Sequence, residues 1–487
     1  MTNIPNDTPW KLFLDSLKGR SIHVVGLAST ECTAFLQVVS DANVTIHELH
    51  TDEETLRSTF AMTHVAMPSE QRDRLLTDLR TNHTICSGAN YLSGIQTADL
   101  IFVPQSWDLY PSNQPIHDIL KQDPGKICSL IDLYARFLPC KIIGVTGTNG
   151  KTTVTSLLGV LLEAAGINVA VSGNNRYHSQ LLPRLDEIPS TAVAVLEISH
   201  KHLRRLDRGP DIAVVTNVAG DHLEEFGSFD DYAARKARIL QLQTRGNLAV
   251  VNLDDPWLKS HAASLVKGQF SRVSLQSTTQ DGAGAWIDAG NFVVRTTEKR
   301  TIEIPCSALK LLGKHNITNT LLALAAAAEI IPDKKLLESG LRTFRGVKHR
   351  LEYLRSIQKA AIYDDTASTS PASTRAAIEA LAAATITPIV LVVGGDDKNN
   401  CYDELHKTIA DHVSRVIVLP GSAGNAIAMG CGTVPVHRHT GLVSATQDAI
   451  GFAAGGAVLF SPGGGGFFAK IATEAGGLRT MIRQWGR

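Results

Sequence analysis

Residues 141–165 read KIIGVTGTNGKTTVTSLLGVLLEAA. The opening six residues are apolar and β-rich, the closing stretch carries leucines at helical spacing, and between them lie two glycines and a lysine. A strand, a glycine turn and a helix in that order form the setting in which backbone N–H groups and a helix start hold phosphate. Gly147, Thr148, Asn149, Gly150, Lys151, Thr152 and Thr153 are therefore the candidate ATP-binding residues. The glycines let the main chain wrap closely around phosphate oxygens. Lys151 adds a full positive charge, and Thr152 presents a hydroxyl suited to Mg²⁺. Gly144 stands one place too early for the commonest phosphate-loop spacing, so this loop is a variant.

Outward from the loop, short apolar runs alternate with amphipathic stretches of helix length, which predicts an α/β fold around mainly parallel sheets. Strands are expected at 169–171, 192–198, 212–217 and 248–252. Short alternating runs within 271–305 predict antiparallel hairpins, and a helix beginning near His315 closes the block. An earlier block holds strands at 21–27 and 99–104 and a helix near 131–138. A later one holds strands at 361–363, 389–393, 415–419 and 457–460. Three domains follow, 1–140, 141–345 and 346–487, which suits the length of 487 residues.

Lys plus Arg and Asp plus Glu each total 47, so there is no global basic field for nucleic acid or an anionic membrane. The seven cysteines are scattered, with no C-x-x-C pair, a pattern of free thiols in a reducing compartment. The opening MTNIPNDTPWKLF has no basic segment followed by an apolar run, and a cytoplasmic location is expected. The most apolar stretch, LLALAAAAEII at 321–331, is too short to span a bilayer and reads as a buried helix.

Glu197 ends the strand AVAVLEIS, and His222 lies in the loop AGDHLEE. Open α/β sheets place ligands at such strand ends, where an acid and an imidazole can serve a metal beside the phosphates. Taken singly, Glu197 could instead cap a helix and His222 could be a satisfied loop histidine. Lys236, within the helical stretch 229–240, reads by itself as a solvated lysine. Ser29 and Thr30, in GLAST, occupy a strand-to-helix turn that could be only a turn.

Six separated motifs together resemble the Mur ligase family. In order they are TGTNGKTT (146–153), LEIS (196–199), N-V-x-x-D-H (217–222), A-x-K-x-R-I (234–239), G-K-H-N-x-x-N (313–319) and HRLE (349–352). Within the family the D-glutamate-adding branch is the most similar, through LIDLYARFLPC at 130–140, Gly173-Asn174, D-D-x-x-x-T at 364–369 and G-G-D-x-K at 394–398. The resemblance implies a Rossmann-like N-terminal domain for UDP, a central ATPase and a Rossmann-like C-terminal domain for the incoming amino acid. It implies an ATP- and Mg²⁺-dependent ligase that adds D-glutamate to UDP-N-acetylmuramoyl-L-alanine via an acyl phosphate in peptidoglycan precursor synthesis, and a monomer is expected.

Carried over by residue, the resemblance makes Lys151, Glu197, His222 and Lys236 catalytic and gives the metal to Thr152, Glu197, His222 and Lys236, with Lys236 carbamylated. Asn316, Arg350 and Asp365 join the ATP site, while Ser29, Thr30, Asn174, Thr369, Lys398 and Phe467 bind the substrates. The chain departs from the branch at four places. Ala367 replaces a lysine, Gly463 to Gly466 replace a serine-ending run, His200, Lys201 and His202 replace S-F-Q, and Pro104, Gln105 and Ser106 replace S-P-G. A same-fold ligase for L-glutamate or another amino acid and a non-catalytic nucleotide-binding scaffold are the alternatives.

Overall fold

A computed structural model describes residues 8–39, 41–64, 67–174, 179–219, 225–276, 282–397, 400–453, 455–465 and 477–485. The first sheet contains β1 (Ser21–Val25), β2 (Asn43–Glu48), β3 (Thr84–Ser87), β4 (Leu100–Phe102) and β5 (Ile127–Cys128). Its order is β3-β2-β1-β4-β5, and every pairing is parallel. Helix α1 (Thr30–Leu36) follows β1, and α2 (Leu130–Phe137) leads out of the sheet. Strand β1 stops at Val25, two residues before the end expected from its apolar run.

The central sheet begins with β6 (Lys141–Thr146), β7 (Val169–Gly173), β8 (Val193–Glu197), β9 (Ile212–Val215), β10 (Leu248–Asn252) and β11 (Gln269–Val273). It finishes with β12 (Gly284–Asp288), β13 (Asn291–Arg295) and β14 (Thr301–Pro305), in the order β14-β13-β12-β11-β10-β9-β6-β8-β7. Pairings from β7 to β12 are parallel, and β12-β13-β14 form the antiparallel hairpins expected from their alternating sequence. β8 (VAVLE) is buried along its whole length, as a strand covered on both faces must be. A Cβ on Gly144 would come within 2.9 Å of Ile198 and Pro210 side-chain carbons, so this glycine serves packing and leaves Gly147 and Gly150 as the expected phosphate-loop glycines. Helices α3 (Lys151–Ala164), α4 (His202–Arg205), α5 (Phe229–Gln241) and α6 (Lys314–Ala327) are connected to this sheet in sequence.

The third sheet contains β15 (Glu352–Ile357), β16 (Ala360–Asp364), β17 (Ile389–Val393), β18 (Val413–Val418), β19 (Val436–Arg438) and β20 (Ala457–Phe460). Its order is β15-β16-β20-β17-β18-β19, parallel except for the β15–β16 edge pair. Helix α7 (Pro371–Ala383) starts at a Ser370 cap and packs on its core. One sheet falls within each of the expected segments 1–140, 141–345 and 346–487. The contacts nevertheless form two compact units, residues 1–308 with 318–341, and residues 309–317 with 342–487. Among the described residues no helix is long and apolar enough to cross a membrane, and the alanine-rich run at 321–328 is buried in α6 and just beyond it.

Candidate active site

The phosphate loop occupies the carboxyl end of β6, between β8 and β9. Gly147 has φ +145° and Gly150 φ +84°, conformations open to glycine and costly for other residues. A Cβ on Gly147 would collide with Thr216 Oγ1, and one on Gly150 with Asn319 Oδ1. The loop is braced from the end of β9. Thr148 N–H donates to Asn217 O (2.9 Å), Asn149 N–H to Asn217 Oδ1 (2.9 Å), and Thr148 Oγ1 meets Tyr232 OH at 3.0 Å. Lys151 Nζ folds back onto the carbonyls of Gly147 (2.9 Å) and Thr148 (2.8 Å). Thr152 and Thr153 are partly exposed in the first turn of α3.

Glu197 ends β8 and is 2% exposed. Its Oε1 accepts from Asn174 Nδ2 at 3.2 Å, and Asn174 N–H in turn donates to Glu197 O at 2.9 Å. Glu197 Oε2 is buried and has no hydrogen-bond partner among the described residues. A buried carboxylate oxygen left this way is costly unless a cation or water meets it. Lys236, on α5, is not the solvated lysine that its helix would suggest. It is 1% exposed, with its ammonium 4.9 Å from the Tyr232 ring centroid.

A cavity of about 640 Å³ opens between the first two sheets. Ser29, Thr30 and Gln105 line it from the first sheet's side, and Lys151, Asn174 and Lys236 from the second. Ser29 caps α1 by accepting from Glu31 N–H (3.2 Å), and Thr30 Oγ1 accepts from Gln180 Nε2 (3.4 Å). His47, Glu48, His50 and Tyr91 also line the cavity and were not picked out from sequence, although the histidines and glutamate of IHELH, at the carboxyl end of β2, were a usable signal for the first three. Glu48 ties the two turns together, accepting from Leu27 N–H (2.7 Å) and His50 N–H (3.0 Å). Behind it, His47 Nε2 lies 2.7 Å from His23 Nδ1. Burial, aided by the neighbouring His47, holds His23 down at about 4. Burial also lowers His47, opposed by its bond to Tyr91 O.

The second unit holds another group of expected site residues. Asp365 is buried and accepts from Leu351 N–H (2.9 Å) and Ser461 Oγ (2.7 Å). Burial pushes its carboxyl up to about 6 against the opposing pull of Ser461, Ser368, the Leu351 N–H and Arg350. Its neighbour Asp364 meets His349 Nδ1 at 2.7 Å. Arg350 and Thr369 are exposed, whereas Asn316 is 9% exposed and donates from Nδ2 to Leu312 O (2.7 Å). His222, Lys398 and Phe467 lie outside the described residues. Among the described residues no cluster of three His, Cys, Asp or Glu side chains is arranged for a metal.

Comparison with known proteins matches residues 145–327 to the Mur ligase middle domain and residues 349–464 to the Mur ligase glutamate ligase domain. The UDP-N-acetylmuramoylalanine--D-glutamate ligase of Acidobacterium capsulatum is 31% identical over 92% of this chain and 90% of its own length. The enzyme of the same name from Symbiobacterium thermophilum is 33% identical over 78% and 82%. Among solved structures, the UDP-N-acetylmuramate-alanine ligase of Thermotoga maritima matches with a TM-score of 0.59 and 17% identity, covering 95% of this chain and 99% of its own. The MurF ligase of Thermotoga maritima in complex with ADP matches with a TM-score of 0.52 and 18% identity, over 80% and 88%. With the phosphate loop, the buried glutamate and the buried lysine in place on this fold, the chain belongs to the Mur ligase family.

Proposed function

We propose that this chain joins D-glutamate to UDP-N-acetylmuramoyl-L-alanine, using ATP to turn the alanyl carboxylate into an acyl phosphate. A carboxylate offers an amine no adequate leaving group at neutral pH, and phosphorylation supplies one. The observation that carries the reading is the single cavity running from Ser29 and Thr30 to Lys151, Asn174 and Lys236, long enough in chemistry to take a nucleotide-sugar at one end and a reacting carboxylate at the other.

The loop and the start of α3 fit a triphosphate, since they offer backbone N–H groups, a helix end and a lysine in one concave turn. Lys151 already bonds two carbonyls, and an anionic phosphoryl oxygen is a stronger acceptor than either. Glu197 Oε2 fits a cation, so Thr152 and Glu197 would hold Mg²⁺, joined in the family pattern by His222 and by Lys236 as a carbamate. Bound there, the ion would neutralise charge developing on the phosphoryl oxygens. Asn174 keeps Glu197 oriented and faces the cavity. Thr369, Lys398 and Phe467 are assigned to the incoming glutamate, and Asn316, Arg350 and Asp365 to the nucleotide. The assignment includes a monomeric protein acting in the cytoplasm.

The purified protein with Mg²⁺, ATP and UDP-N-acetylmuramoyl-L-alanine should release inorganic phosphate when D-glutamate is added, with a product heavier by one glutamyl residue. Product formed only with L-glutamate would reassign the acceptor. No phosphate with either enantiomer would overturn the ligase reading.

A further inference from the structure

Two of the places where the chain departs from its branch of the family meet in space. Gln105 belongs to the segment that replaces S-P-G, and His202 to the one that replaces S-F-Q. Glu31, in the first turn of α1, accepts from Gln105 N–H through Oε2 (3.0 Å) and faces His202 Nε2 through Oε1 (3.2 Å). Ser199 Oγ donates to Gln105 Oε1 (2.6 Å) and accepts from His202 N–H (3.1 Å). Ser199 N–H donates to His202 Nδ1 (3.4 Å), so the imidazole keeps its proton on Nε2 and gives it to Glu31. The result is a closed ring of four residues. The His202 and Glu31 side chains are 2% and 5% exposed, and Glu31, Gln105 and Ser199 line the cavity.

The ring does not act alone. The rest of the short α4 turn reaches in the same direction. Arg204 pairs with Asp108, while Arg205 bonds Asp132 (3.2 Å) and the carbonyl of Ile127 (2.7 Å). Three donors of this one turn, His202, Arg204 and Arg205, thus anchor the segment that follows Glu197 to elements of the first sheet's side. Glu197 itself is only two residues before Ser199 on the same strand end.

We propose that His202 is a positioning residue, which with Glu31, Gln105 and Ser199 clasps the two walls of the cavity at one separation and fixes the nucleotide-sugar relative to the phosphoryl site. This rests on the function proposed above. A substrate gripped at both walls is sensitive to small displacements of one against the other. Gln105 enters the ring through its main-chain N–H to Glu31 and its side chain to Ser199, and His202 closes it through its ring on Glu31.

Steady-state kinetics of three variants test it. In H202N the shortened side chain can still accept from Ser199 N–H but cannot reach Glu31, and in E31Q the amide offers one acceptor to two donors, so its N–H must face either the Gln105 N–H or the imidazole N–H and one bond of the ring is lost. Each should raise KM for the nucleotide-sugar about tenfold, the loss expected for one hydrogen bond to a charged group, and leave KM for ATP within about twofold. H202Q restores a donor toward Glu31 and should recover most of the loss. If H202N does not fold, E31Q decides. The proposal is overturned by unchanged KM for the nucleotide-sugar, by KM for both substrates rising together, or by H202Q behaving no better than H202N. A wild-type protein that releases no phosphate overturns the underlying ligase reading, whereas an active wild type with insensitive variants overturns the clasp alone.

Discussion

Lys151 and Glu197 illustrate how differently two proposed site residues show themselves. Lys151 was legible from its neighbours in sequence, because a glycine turn after a β-rich strand has few other uses. K151A should lower phosphate release by at least about a hundredfold, since the developing phosphoryl charge loses its fixed cation, while leaving the melting temperature nearly unchanged. Glu197 was legible from its place at the end of a strand and from the LEIS motif. That its Oε2 has no hydrogen-bond partner among the described residues emerged from the fold. E197Q keeps the acceptor for Asn174 and removes the charge, so its activity should require about ten times more Mg²⁺ and recover partly as Mg²⁺ is raised. A Mg²⁺ requirement unchanged from wild type would remove Glu197 from the proposed metal site. Lys236 was misread by local pattern, as its helix is amphipathic and the lysine sits on the inward face beside Tyr232.

Elements with a strong local signal match their expected positions closely. β6, β10, β17 and β20 begin and end where their apolar runs do, and α3 falls one residue short of its expected end. β15 was missed because its sequence, EYLRSI, is polar at a half-exposed sheet edge and gains its strand character from pairing with β16. β2 was likewise missed, and the His47–Glu48 wall of the cavity with it. The contacts of Gln105, Glu31 and His202 were equally hidden, since 171 positions separate the last two in the chain. At this scale G147A is informative. The added methyl would meet Thr216 Oγ1 at a φ that non-glycine residues avoid, so the variant should lose roughly 1–3 kcal/mol of stability in urea unfolding and fail to bind ATP. Unaltered nucleotide binding would show that the loop relaxes easily.

For the whole molecule, pH acts through buried imidazoles in the first sheet's region. Burial holds His64 down at about 4, while the unfolded side chain titrates near 6.5. The unfolded chain therefore takes up a proton that the native one refuses, and the stability associated with this group, complete above pH 6.5, drains away as pH falls toward 4. At pH 5 the loss is about 2 kcal/mol from this residue. H64Q should show a correspondingly smaller drop in urea stability between pH 7 and pH 5. His23, also held at about 4, acts with the same sign.

The division of the chain into two units has a consequence for its synthesis and dissection. Residues 309–317 belong with 342–487, yet 318–341 return to the first unit, so the backbone changes allegiance three times. Leu312 packs against the core around Ile389 and Leu459, far downstream. During translation this nonapeptide leaves the ribosome more than thirty residues ahead of the sheet that receives it, and must wait uncommitted. A fragment cut at 346 should accordingly bind a hydrophobic dye and melt early, and adding the 309–317 peptide in trans should reverse both.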